Sequence, residues 1–177
     1  MIIAQISDVH IELGTGRPEH EHALDESARR AIEHINAMPA VPDLVIVTGD
    51  CTNNGTPAEY QRFRELFAAL AMPYYVIPGN HDKREHMQEA FGAQGSTALD
   101  GFVQYSVEGG PVRLLALDTN VPASGGGVLC ATRLAWLEER LREAPDRPTL
   151  LFMHHPPFRT GWQPFDRIGL ANADAFA

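Results

Sequence analysis

Lysine is nearly missing from this chain: Lys83 is the single example among 14 basic residues, and the rest are arginines. That scarcity carries no functional weight by itself, but the charge balance does. With 23 acidic residues the formal charge is −9, which excludes the basic face that non-specific nucleic-acid binding requires. An anionic ligand stays allowed, because a bound cation can dominate the local field. Cysteine is scarce too. Two residues, Cys51 and Cys130, make neither a disulfide framework nor a zinc-finger spacing, and they imply a reducing, cytoplasmic setting. Cys51 reads as a small apolar side chain at a strand end rather than as a reactive thiol. No apolar run approaches the roughly 18 residues of a membrane span. The opening "MIIAQISDVH" has no basic leader, and Asp8 interrupts its apolar run, so it reads as a first strand and not as a signal peptide. No G-x-S-x-G elbow is present. The "SGGG" at 124–127 lacks the Gly-Lys-Ser/Thr ending of a phosphate loop and reads as a flexible connection.

What the chain does have is a regular alternation. Its 177 residues, 44% of them apolar, suit a single domain with a proper core. Apolar runs at Ile2–Ile6, Leu44–Val47, Tyr74–Ile77, Leu114–Leu117 and Leu150–Met153 read as strands, and "FVQYSV" at 102–107 alternates like an antiparallel or edge strand. Between them lie stripes at helical spacing: Leu24, Ala28, Ala31, Ile32 and Ile35; then Tyr60, Phe63, Leu66, Phe67 and Leu70; then Leu134, Leu137 and Leu141 with Trp136 beside them. All three read as core-packing faces. Strands alternating with helices predict an α/β fold with mostly parallel sheet. Loops are expected at Gly14–Pro18, Gly109–Pro111 and Ser124–Gly127.

The polar residues that break this pattern collect just past strand ends. Asp8 and His10 follow the first strand, Asp50 the second in "VIVTGD", Asn80, His81 and Asp82 the third in "VIPGNHD", and His154 and His155 the last in "LLFMHHPP". The carboxyl ends of strands line the ligand crevice of open α/β sheets, so four distant segments can deliver side chains to one place. Carboxylate, imidazole and amide oxygen suit transition cations without any thiolate. In D-x-H, alternate residues of an extended segment point the same way, which sets Asp8 beside His10. A carboxylate such as Asp50 can bridge two cations, and two metals about 3.5–4 Å apart are a recurrent device for splitting phosphate esters. Gly49 and Gly79 permit tight turns and Pro78 stiffens the approach.

Taken in order, D-x-H, G-D, G-N-H-D and H-H-P-P resemble the calcineurin-like metallophosphoesterase superfamily. Within it, the likeness is greatest to bacterial class III cyclic-nucleotide and glycerophosphodiester phosphodiesterases. It spans nearly the whole chain and includes "GDCTNNGTPAEY" (49–60) and "GVLCATRLAWLEERL" (127–141). The resemblance implies a four-layer α/β/β/α sandwich of two mixed sheets and two divalent transition-metal ions, drawn from Mn, Fe, Co or Zn. Asp8 and His10 are then expected on one metal, Asp50 between the two, and Asn80 and His154 on the other. His81 is expected near the leaving group as proton donor or charge stabiliser, with Asp82 orienting it. His155 and Asp118 are expected behind the ligands. Asn53 stands where the family usually has Asp. The family's later G-H-x-H has no counterpart in residues 1–177, which end in "IGLANADAFA". A domain lacking its C-terminal strands and that motif is therefore expected, with Leu170, Ala173 and Phe176 opening an amphipathic helix.

The function so implied is hydrolysis of a small phosphodiester, of cyclic-nucleotide or glycerophosphodiester type, by hydroxide generated between two metals. Two alternatives stay open: an interaction or scaffold module with a degenerate site, and a phosphomonoesterase. A small anionic substrate, no membrane and no non-specific nucleic acid are the partner expectations, and a homo-oligomer is compatible with the resemblance. His20 and His22 read as solvated residues at a helix start, and His34 and His86 as residues on exposed helix faces.

Overall fold

The structure is a computed structural model that describes residues 1–94 and 98–176. Two three-stranded sheets form the centre. In the first, β1 (Ile3–Ile6), β2 (Leu44–Thr48) and β3 (Tyr74–Ile77) run parallel in that order. In the second, β4 (Tyr105–Val107) lies antiparallel to β5 (Arg113–Ala116), which pairs in parallel with β6 (Thr149–Phe152). The second sheet is mixed as expected, whereas the first is wholly parallel. The helices are α1 (Pro18–Asn36), α2 (Pro57–Phe67), α3 (Arg84–Phe91) and α4 (Ala131–Glu143), followed by the short α5 (Gln163–Asp166) and α6 (Ala173–Phe176). Among the described residues, no helix is long and apolar enough to cross a membrane.

The layering follows from which side chains each strand buries. All five residues of β2 are buried, as expected of a parallel strand covered on both faces. Strand β5 shows the alternation directly. Leu114 and Ala116 join a core shared with β2, β3 and the stripes of α1 and α2, while Leu115 and Leu117 pack with Leu137 of α4. Period-two geometry turns successive side chains to opposite faces, so the second sheet is sandwiched between the first and α4. The Tyr105 hydroxyl donates to the Val76 carbonyl at 2.6 Å and ties the sheets together. Helix α2 begins with a capping box, Thr56 accepting from Glu59 N while the Glu59 carboxylate accepts from Thr56 N.

Register sets where the strands stop. Ile6 lies opposite Val47, and Thr48 opposite Ile77, so the three parallel strands deliver their following loops to one edge. Leu170 pairs with Gly127 in an isolated bridge, and only Ala173–Phe176 is helical, so the expected terminal helix starts later than its apolar spacing suggested. His34 is exposed as expected. His86 is not: it is half-buried on α3, with Nδ1 2.7 Å from the Gly55 carbonyl.

Phe63 is fully buried, stacked on Phe67 with ring centroids 3.9 Å apart. Phe63→Ala is expected to cost about 3–5 kcal/mol, the usual penalty for a core aromatic cavity. Phe165→Ala, at a residue 47% exposed, is expected to stay within about 0.5 kcal/mol. Urea denaturation of both variants checks the layering.

Candidate metal centre

Six of the polar residues past the strand ends converge. His10 Nε2 lies 3.8 Å from Asp8 Oδ1 and 3.6 Å from Asp50 Oδ2. His154 Nε2 lies 3.7 Å from the same Asp50 oxygen and 3.3 Å from Asn80 Oδ1. The His81 ring stands edge-on to His10, centroids 4.7 Å apart. Two groups of donors, His10–Asp50–His81 and Asp8–Asp50–His154, each have their ligand atoms within 4.8 Å of one another. Asp50 belongs to both.

The backbone that builds this cluster is unusual. Asp8, His10 and Asp50 all adopt left-handed conformations, with φ of 57°, 50° and 48°, a region uncommon outside glycine but tolerated by Asp and His. The expectation that Asp8 and His10 meet by alternation along an extended segment is therefore corrected. They converge through two left-handed kinks, pinned where Asp8 N donates to Gly49 O and His10 N to Asp50 O. Gly79 is obligatory for a different reason: a Cβ there would sit 2.1 Å from Asp50 Oδ1.

Protons are placed by backbone carbonyls. His154 Nδ1 lies 2.8 Å from Thr48 O, and His81 Nδ1 2.9 Å from Asn53 O. A carbonyl only accepts, so each Nδ1 carries the hydrogen, and in the neutral ring each Nε2 presents a lone pair. For His154 that lone pair faces Asn80 Oδ1 and an Asp50 carboxylate oxygen. In that neutral form three acceptors converge. The His10 ring beside Asp8 holds that carboxyl below its usual value, with Ser7 adding to the effect, and Asp8 in turn raises the pKa of His10 against its partial burial.

Three expected site residues lie elsewhere in the network. Asp82 is buried and does not orient His81. Its two oxygens accept from Gly79 N, Cys51 N, Thr52 N, Thr52 Oγ1 and the Tyr60 hydroxyl, at 2.9 to 3.3 Å. Burial pushes its pKa up, and the Gly79, Cys51 and Tyr60 donors pull it back. The partner of His81 is the Asn53 carbonyl instead. His155 is buried with Nδ1 2.7 Å from Thr119 Oγ1, and desolvation brings it down to about 4, so it is neutral near pH 7. It meets His154 only ring to ring, centroids 4.9 Å apart. Asp118 is wholly buried and grips Arg84 through Nε at 2.6 Å and Nη2 at 2.9 Å. Burial, with Asp82 and Asp50 nearby, pushes the Cys51 thiol well up, consistent with an inert side chain. His20 and His22 are exposed, His20 lying 3.4 Å from Glu12.

Sequence reasoning missed several contributors. The carbonyls of Thr48 and Asn53 carry no side-chain signal. Tyr60 counted only as a core residue of the α2 stripe, yet its hydroxyl both serves Asp82 and accepts from Lys83 N. Asn53, the departure at position 53, donates through Nδ2 to Glu12 Oε1 at 2.7 Å.

Comparison with known proteins gives the family. The chain is 35% identical over 182 residues to the glycerophosphodiester phosphodiesterase GpdQ of Enterobacter lignolyticus, covering 97% of this chain and 63% of the relative. It is 35% identical over 176 residues to the 3',5'-cyclic adenosine monophosphate phosphodiesterase CpdA of Escherichia coli K12, covering 97% and 61%. It thus spans less than two thirds of the length of these curated relatives. Among solved structures, the phosphopantetheinyl hydrolase PptH of Mycobacterium tuberculosis superposes with a TM-score of 0.53 at 16% identity, over 97% of this chain and 76% of that one, a likeness of fold. The calcineurin-like phosphoesterase family matches residues 1–171, and the chain belongs to that family.

Proposed function

We propose that the chain carries the centre of a metal-dependent phosphodiesterase acting on a small phosphodiester of glycerophosphodiester or cyclic-nucleotide type. The observation that carries this reading is the position of Asp50. One carboxylate oxygen lies 3.6 Å from His10 Nε2 and 3.7 Å from His154 Nε2, a shared corner between two donor groups. The relatives' names, a glycerophosphodiester phosphodiesterase and a cyclic AMP phosphodiesterase, supply the substrate class.

The residues present fit a pair of divalent cations. With His154 neutral, lone pairs of His154, Asn80 and Asp50 face one another and repel unless a cation takes the space. Asp8 and His10 would hold one ion, Asn80 and His154 the other, and Asp50 both. The oxygen and nitrogen donor set, lacking thiolate, fits Mn, Fe, Co or Zn. Bound there, such ions supply charge neutralisation at the phosphoryl oxygens and acidify solvent.

The chain's own residues then have defined tasks. Thr48 O and Asn53 O fix the His154 and His81 tautomers, so neither ring has to reorient during turnover. His81 is exposed at the edge of the cluster with its Nδ1 hydrogen already committed. When its ring is protonated, Nε2–H is the proton that reaches the departing alkoxide, and the Nδ1–H tautomer remains. Its backbone N donates to Asp50 Oδ1 at 2.9 Å, which couples the proton donor to the bridging carboxylate. Both cysteines are free, in keeping with a cytoplasmic setting.

Three outcomes are expected of the full chain. Supplied with manganese, it turns over bis(p-nitrophenyl) phosphate faster than p-nitrophenyl phosphate; hydrolysis of the monoester alone would instead make it a monoesterase, and inertness toward both would favour a scaffold. His81→Ala keeps its metal but loses about 10²–10⁴ in turnover; an unchanged rate on a diester with a poor leaving group would remove His81 as proton donor. Asp50→Ala binds fewer cations per chain by elemental analysis, and retention of both would remove it from the shared position.

A further inference from the structure

We infer that Asn120 is a positioning residue, which sets the loop carrying Asn80 and His81 from the opposite sheet. The inference rests on the metal-centre reading above and extends it to a residue that touches neither donor group. Asn120 lies four residues beyond β5, in the second sheet, while the loop it holds follows β3 in the first. Its side-chain Nδ2 donates to Gly79 O at 2.5 Å and to Asp82 O at 3.3 Å. Those two carbonyls bracket Asn80 and His81. A single amide therefore grips both ends of the segment that brings a ligand-type oxygen and the proton donor to the cluster.

The amide has little freedom to do anything else. Asn120 is 4% exposed, and its backbone is tied at both polar groups. Its N–H donates to Asp118 Oδ1 at 2.9 Å, and its carbonyl accepts from Arg84 Nη2 and, at 3.2 Å, from Arg133 Nη1. Asp118 is itself held by the Arg84 fork, by Val103 N at 3.0 Å and by Arg133 at 3.5 Å. The guanidinium groups of Arg84 and Arg133 also pack against the Phe102 ring, at 5.1 and 4.6 Å. A bidentate ion pair on a buried carboxylate, braced in this way, is rigid. It also explains a buried charge cluster, Arg84, Asp118 and Arg133, that the proposed chemistry does not use. Asp8 and His10 hang instead on the carbonyls of residues 49 and 50, and the His10 ring meets the braced loop at His81. Loss of the Asn120 amide is therefore graded: it loosens Asn80, the donor that the gripped loop itself carries, more than Asp8 and His10, whose backbone is tied to residues 49 to 51.

Titration of the metal-free full chain with Co²⁺, followed by visible absorption, tests this without turnover. In wild type two binding steps are expected. In Asn120→Ala one step weakens by about 10–100-fold, the usual effect of removing a residue that orients ligands from behind, and the other stays within about twofold. The control is Asn36→Ala, which removes a comparable amide bridge to Ala69 O and Ala71 N far from the site; both of its steps match wild type. If Asn120→Ala does not melt cooperatively, Asn120→Ser, which keeps one donor, is titrated instead and weakens the same step by a smaller factor. Two unchanged steps, or equal weakening of both, would overturn the inference. Wild type that binds no Co²⁺ would instead overturn the metal-centre reading, and the role of Asn120 with it.

Discussion

One carboxylate organises the cluster. Asp50 stands at the end of the central parallel strand, in a left-handed conformation with φ 48°, and its oxygens serve three loops. Oδ2 faces His10 and His154, while Oδ1 accepts from His81 N. This arrangement is possible only because two backbones approach closely. A Cβ on Gly79 would overlap Asp50, and one on Gly49 would lie 2.6 Å from His154 Nδ1. Three non-glycine residues in the left-handed region cost on the order of 1–3 kcal/mol each. Such conformations persist because the surroundings over-determine them. The backbone bonds from Asp8, His10 and Ile11 onto residues 49 to 51 leave the first loop no alternative path. Strain that is held so firmly fits the preorganised site proposed above better than a passive turn.

A second carboxylate does the opposite work. Asp82 lies one residue beyond His81, yet it points inward and gathers five donors from the loops after β2 and β3 and from Tyr60 of α2. A buried carboxylate is costly unless its lone pairs are filled, and here they are. The result is a polar hub under the cluster that fixes the two loops relative to each other. Asp50 and Asp82 thus divide the labour of the proposed site: one faces the other donors and the other anchors the loops beneath them.

Much of this was readable in the sequence, and the reason is physical. Parallel strands buried on both faces appear as short apolar runs, so β2 and β3 and their exits stand out, and polar residues at those exits have few structural excuses. That logic singled out Asp8, His10, Asp50, Asn80, His81 and His154, six residues that the fold brings together. It failed where direction matters more than position. Three consecutive polar residues, Asn80 to Asp82, cannot all face one way around a glycine turn, and nothing in their identities says which one turns inward. It failed again for Asp8 and His10, whose pairing looked like strand alternation and is instead a product of two left-handed kinks. The network of Arg84, Asp118, Asn120 and Arg133 was only partly visible, through Asp118, because Arg84 lies 34 to 36 residues and Arg133 13 to 15 residues from its partners and spacing carries no signal at such separations.

The centre also belongs to the seam between the sheets rather than to either one. The first sheet supplies Asp8, His10, Asp50, Asn80 and His81, whereas His154 comes from the exit of β6 in the second. His154 reaches back to Thr48 O at the end of β2, and Asn120 reaches from the exit of β5 to the loop after β3. The two crossings run in the same direction, from the second sheet to the first, and they bracket Asp50. A change that altered sheet-to-sheet spacing would move His154 relative to Asp50 even if every donor were retained. The apolar faces of Leu114 and Ala116, with the Tyr105–Val76 bond, therefore set a distance across the site as well as the stability of the core. Close-packed interiors transmit displacement rather than absorb it, so core volume and donor geometry cannot vary independently here.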